Sequence, residues 1–164
     1  MNIKLIVTGK TAKGFIDEGI NEYLKRLKHY LNFSLETIND VKNAKSLSPL
    51  QLKKIECQNI LSFLEKNQLD TQHSTLVVLL DENGEELKST QLAEYLQKNM
   101  NSGIKNLVFI VGGAYGFSDT IKEKFKYKIS ISRMTFSHQM IRLLFVEQLY
   151  RAFTIIKGEP YHNE

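Results

Sequence analysis

The stretch VFIVGGAYGFSDTIKEKF, Val108 to Phe125, decides how the fold is read. Four apolar residues run into Gly112 and Gly113, a third glycine follows at Gly116, and Ser118 stands where a helix begins. Strand, glycine turn and helix in that order make the ligand-binding corner of an α/β protein. Neither common phosphate-binding pattern is present. A dinucleotide fingerprint needs glycine where Ala114 stands, and a Walker A loop needs Gly-Lys-Ser/Thr where Phe117 to Asp119 stand.

Working outward, residues 2–8 alternate as a strand, with Ile3, Leu5 and Val7 on one side. Ile16, Ile20, Tyr23, Leu24, Leu27 and Leu31 recur at helical spacing, which predicts a helix over 11–31. A second strand is predicted at 33–38, then a polar, mobile loop at 39–47. Ser48 and Pro49 are the N-cap and first position of the next helix, whose inner face is read as Leu52, Ile55, Asn59, Ile60, Phe63 and Leu64. The apolar run 75–80 predicts a doubly covered strand ended by DENG. A helix capped by Ser89 and closed by Gly103 follows, then a strand at 107–111 and a short helix capped by Ser118. A strand at 127–132 and a long helix at about 139–157 complete the pattern. Strands alternating with helices throughout predict one α/β domain over 1–164, a mostly parallel sheet flanked by helices.

Composition sets the class. The 164 residues carry 22 Lys and Arg against 18 Asp and Glu, a formal charge of +4, which is weak support by itself for a nucleic-acid partner. No apolar run reaches the roughly 18 residues of a membrane span. The start MNIKLIVTGK lacks the three regions of a signal peptide, and the single cysteine, Cys57, agrees with a reducing compartment. A cytoplasmic protein is expected. His29, His73, His138 and His162 are scattered, so no metal is implied. KEKFKYK, Lys122 to Lys128, interleaves lysines with aromatics. Two readings fit it: a surface that meets phosphates and stacks bases, or an amphipathic helix end passing into a strand.

The final helix carries an apolar stripe of Ile141, Phe145, Leu149, Ala152 and Ile156, widened by Met140, Leu144 and Ile155. One sheet contact needs only one stripe, so the surplus predicts a homodimer through this helix. Arg142 lies within the stripe, either snorkelling to solvent or held for an anionic partner. Ligands of open α/β sheets bind at the carboxyl ends of the strands. Three such ends stand at Leu80, at Val111–Gly113 and at Ile131–Ser132. Gly112 and Gly113 either admit a ligand to bare backbone or make a tight turn alone.

VFIVGGAYGF, SISRMTFSHQMIRLLFVEQLYRAF and the terminal GEPYH together resemble the RlmH family, small SPOUT-class methyltransferases of large-subunit ribosomal RNA. The resemblance extends to IKLIVTGK and EYLKRL, covering essentially the whole chain. It implies a C-terminal trefoil knot, S-adenosylmethionine as cofactor, and methylation of N3 of a pseudouridine in 23S rRNA on assembled ribosomes. It carries cofactor contacts onto Leu80, Gly112, Ile131, Ser132, Arg133, Met134, Thr135 and Phe136, with Gly113 beside them. His138 is then the first candidate for a general base or RNA contact, with a helix-capping or packing histidine as the plain alternative. Arg142 and Arg151 are candidates for phosphate or target-base contacts, with Arg151 equally suited to a surface salt bridge. Tyr161 and His162 lie in a tail expected to complete the partner's pocket in a dimer. Members often have proline where this chain has Ser137, which frees φ and restores an N–H. Two rival functions are a SPOUT methyltransferase acting on tRNA and a non-catalytic ribosome-binding module.

Overall fold

The computed structural model describes residues 1–69 and 74–162 of the chain. His73 lies outside the described residues. Five strands, β1 (Asn2–Thr8), β2 (Asn32–Ile38), β3 (Thr75–Glu86), β4 (Asn106–Val111) and β5 (Tyr127–Ser130), form one sheet in the order β2-β1-β4-β3-β5. Every pairing is parallel. The helices are α1 (Phe15–Leu27), α2 (Pro49–Lys66), α3 (Ser89–Asn101), α4 (Asp119–Lys124) and α5 (His138–Lys157).

The continuous apolar strands fill two cores, because successive side chains point to opposite faces. Leu107, Phe109 and Val111 of β4 join Ile3, Leu5 and Val7 of β1 against α1, α3 and α5. Val108 and Ile110 join Ile6 against α2 and α4. Burial of both faces explains why β4 has no polar alternation.

Some element boundaries differ from those read in the sequence, for local reasons. The first helix is shorter, starting after Gly14, whose φ of 104° is costly for other residues. DENG does not end β3. The strand bulges between Leu80 and Glu85 and resumes pairing with β5, and the backbone of Ile129 passes where a Cβ on Gly84 would lie, 2.6 Å away. Ser48 and Gln51 form the full capping box of α2, but the buried row on that helix is Leu52, Glu56, Ile60 and Leu64. Ile55, Asn59 and Phe63 are half-buried. Lys88, not Ser89, is the N-cap of α3, and Ser89 Oγ instead donates to Gln148 on α5 at 2.8 Å. Ser118 is the N-cap of α4, yet its hydroxyl is buried without a partner.

The width of the α5 stripe has an intrachain reason as well. The helix packs on the sheet and on both α1 and α3, so Met140 and Ile155 join the core within one chain. Gly19 of α1 allows this approach: a Cβ there would stand 2.9 Å from Leu143.

Candidate cofactor site

The carboxyl ends of β3, β4 and β5 open into one cavity of about 380 Å³. Its wall carries Leu80, Gly112, Gly113, Ile131, Ser132, Met134, Thr135, Phe136 and His138. The turn after β4 is built for close approach. Gly116 N–H donates to the carbonyl of Gly113 at 3.0 Å, and Gly116 takes a φ of 71°. A Cβ on Gly112 would lie 3.1 Å from the carbonyl carbon of Gly116, and one on Gly113 only 2.3 Å from Glu56 Oε1. Both glycines therefore present bare backbone for packing reasons as well as for access.

The loop after β5 is shaped by its serines. Ser130 Oγ donates to the carbonyl of Ser132 at 2.9 Å, and Ser132 Oγ accepts from Met134 N–H at 2.9 Å. Arg133 turns away from the cavity. Its side chain is 89% exposed and its Nε pairs with Glu86 at 2.9 Å. Ser137 caps α5, accepting from Met140 N–H at 3.2 Å with φ at −62°. A proline fits that φ but supplies no capping oxygen, so the serine exchanges ring rigidity for a cap.

Sequence reasoning passed over several residues here. Asp81, one residue past Leu80, is buried and accepts from Asn83 N–H at 3.0 Å and from Lys122 Nζ at 3.0 Å. Burial pushes its pKa up, but the Asn83 N–H and the Lys122 ammonium outweigh that and hold it below the ordinary value. The cavity thus keeps a carboxylate on its wall. Glu56 lies behind Gly113 with Oε2 buried and unpartnered, and burial, then the nearby Asp40, raises its pKa. Its place in the row with Leu52 and Ile60 was the available signal. Tyr115, 51% exposed, and Met134, 72% exposed, stand on the rim. Tyr115 lay in plain view inside the glycine stretch.

The remaining candidates divide. His138 is half-buried on the cavity wall, and its pKa is lowered by burial and by Arg142, against a smaller opposing pull from Asp40. Gln139 Oε1 accepts from Ala12 N–H at 2.9 Å and its Nε2 donates to the carbonyl of Lys10 at 3.1 Å. That fixes the amide orientation, so at 3.1 Å Gln139 Nε2 donates to His138 Nε2. Neutral His138 then carries its hydrogen on Nδ1.

Arg142 is fully buried. Its Nη1 donates to the carbonyl of Gly9 at 2.9 Å and to Thr11 Oγ1 at 3.1 Å, and its Nη2 donates to the carbonyl of Thr8 at 2.6 Å. It clamps the end of β1 instead of facing the cavity. Tyr161 lies along α5, and neither it nor the half-buried His162 lines the cavity. Tyr161 Oη is 3.3 Å from both Tyr23 Oη and Glu147 Oε1, and its ring packs edge-on to Tyr150. Arg151 pairs with Glu147 at 2.7 Å and sits over the Tyr161 ring.

A family model described as "Predicted SPOUT methyltransferase" matches residues 1–162. The chain belongs to the SPOUT methyltransferase family. It is 52% identical to a protein of Flavobacterium johnsoniae and 52% identical to one of Parabacteroides distasonis, each named ribosomal RNA large subunit methyltransferase H, over the whole of both chains. A Bacteroides thetaiotaomicron protein of the same name is 46% identical over the same span. Among the described residues no group of three or more His, Cys, Asp and Glu side chains can hold a metal, and no helix is long and apolar enough to cross a membrane.

Proposed function

We propose that the chain is an S-adenosylmethionine-dependent methyltransferase acting on N3 of a pseudouridine in 23S rRNA of assembled ribosomes, in the cytoplasm. The observation that carries this reading is the cavity at three strand ends, walled by Gly112, Gly113 and the loop after β5, in a chain 52% identical throughout to large-subunit rRNA methyltransferases. Residues 1–164 make one SPOUT domain with a C-terminal knot in this reading.

The cavity suits the cofactor in size and chemistry. Its volume of about 380 Å³ falls in the range of small-molecule sites. Leu80, Ile131 and Phe136 offer apolar surface, the glycines offer main-chain hydrogen-bonding groups, and the Asp81 carboxylate complements a cationic ligand. When bound, S-adenosylmethionine supplies an electrophilic methyl group. The chain's own part is alignment, which provides much of the rate in such a transfer. Tyr115 and Met134 present apolar surface at the rim for the incoming base, and His138 donates from Nδ1 to a base carbonyl. Of the two roles considered for His138 from the sequence, this reading takes the RNA contact.

A homodimer through α5 belongs to the same reading. Leu144, half-buried and outside the intrachain core clusters, is the residue through which a second copy packs, and the tail bearing Tyr161 and His162 lies on the same helix. Light scattering of wild type and of Leu144→Glu tests it; equal masses for both at micromolar concentration refute it.

The first experiment is transfer of labelled methyl to assembled ribosomes, separated subunits, naked rRNA and tRNA, with mapping of the modified base. Label at N3 of a large-subunit pseudouridine is the expected result. Label confined to tRNA supports the rival activity, and cofactor binding without any transfer supports the non-catalytic module. Gly113→Ala sets a methyl against the Glu56 carboxyl, which must move aside; it should cost up to about 1 kcal/mol in stability and weaken cofactor binding measurably, read by urea unfolding and calorimetry.

A further inference from the structure

The Lys122–Lys128 segment is only half used by the cofactor site. Lys122 pairs with Asp81 on the cavity wall and Phe125 is buried in the core. The other half, Lys126, Tyr127 and Lys128, lines a separate cleft of about 310 Å³ together with Glu85 and Tyr95. The cleft follows from the β3 bulge, which folds Gly84 onto the backbone of β5.

Three features give this cleft a ligand class. Tyr127 is 59% exposed on β5, the edge strand paired only with β3, so its ring is accessible to a ligand. Lys126 and Lys128 flank it, and neither has an ion-pair partner among the described residues. Glu85 places a carboxylate in the same cleft, equally unpaired. An exposed aromatic with unpaired cations along the same cleft is how single-stranded nucleic acid is held, with the base on the ring and phosphates on the lysines. A carboxylate there repels phosphate but accepts from the N–H groups of a base edge. The Tyr95 hydroxyl is sealed in the wall without a hydrogen-bond partner; the Asn99 amide donates instead to the Tyr95 carbonyl at 2.8 Å.

We propose that this cleft binds an unpaired RNA nucleotide beside the target base, stacked on Tyr127 with its phosphates on Lys126 and Lys128. The inference rests on the proposed rRNA activity for its biological substrate. From Tyr127 to Ser130, which lines the cofactor cavity, is about 10 Å of extended strand. One RNA strand can therefore occupy both places, which supplies substrate selection to an enzyme of a single small domain.

The test separates binding from methylation. Anisotropy titrations of a labelled, unstructured hexanucleotide RNA compare wild type, Tyr127→Ala, Tyr127→Phe and the double variant Lys126→Ala/Lys128→Ala. Tyr127→Ala should bind roughly tenfold more weakly and Tyr127→Phe close to wild type, because the ring and not the hydroxyl stacks. The lysine double variant should lower the slope of log affinity against log salt by about 1.4, two phosphates' worth for a single strand. Cofactor affinity should stay unchanged in all of them. On ribosomes, Tyr127→Ala should raise KM with kcat preserved. A wild type that does not bind the RNA, or a Tyr127→Ala variant that binds as well as wild type, overturns the proposal. A photo-reactive side chain at position 127 that crosslinks to ribosomal protein instead of rRNA overturns it too. Failure of the rRNA reading shows separately, as wild type that binds the RNA but transfers no methyl to any ribosomal substrate.

Discussion

At the start of α5, Arg142 is fully buried and gives its hydrogens to main-chain oxygens of Thr8 and Gly9; near the end of the same helix, Arg151 lies partly exposed between Glu147 and the ring of Tyr161. Both arginines read in the sequence as cations for RNA phosphate or the target base, with a surface salt bridge equally open to Arg151. What separates them is the acceptor. The carbonyls at the end of β1 are fixed by the sheet and shielded from water, so a fork of donors must reach them and the cation is committed to structure. Arg151 is satisfied by a side chain that water and salt can replace. Its ion pair is the kind a phosphate can compete with.

The comparison is broken most directly by removing the buried clamp. Arg142→Met should cost about 2–4 kcal/mol in urea unfolding, since two buried carbonyls lose their donors. A variant as stable as wild type but unable to methylate would mean that Arg142 serves the substrate after all. The next effect is in acid. His138 has its folded pKa held below the ordinary value by burial and by Arg142, so the unfolded chain takes the proton first as pH falls. The associated stability is fully present above about pH 6.5 and is lost as pH drops toward the folded pKa. Unfolding of wild type and His138→Gln between pH 5 and 7.5 should show this loss in wild type only; parallel curves would refute it. Smallest is the exposed end. Arg151→Ala should cost under about 1 kcal/mol, and less still in high salt. A cost equal to that of Arg142→Met would erase the distinction between the two ends.

Much of the architecture was legible because the pattern is local. The apolar runs at 75–80 and 107–111 already implied strands covered on both faces, and the structure buries them between two cores. Ser48 with Pro49 announced a helix start, and the structure caps α2 at Ser48 as expected. The glycine turn marked a strand end, and its neighbours at Leu80 and Ile131 share its cavity. The misreadings occur where distant backbone decides. DENG looks like a strand terminator until Gly84 is seen folding against Ile129. Met140 and Ile155 on α5 look like surplus until α1 and α3 pack beside the helix, which leaves Leu144 outside the core clusters.

The order of elements, the parallel sheet and the family can be read from the amino acids alone, because periodicity, caps and motifs are written within a few residues of where they act. Long-range packing alone turns Arg133 away from the cavity, makes Arg142 a clamp, sets Asp81 on the cavity wall and brings Glu56 against Gly113. A side chain's task depends on which acceptor or backbone lies opposite it. In this chain the end of β1 and the start of α5 meet from opposite ends of the sequence, a juxtaposition that no local pattern encodes.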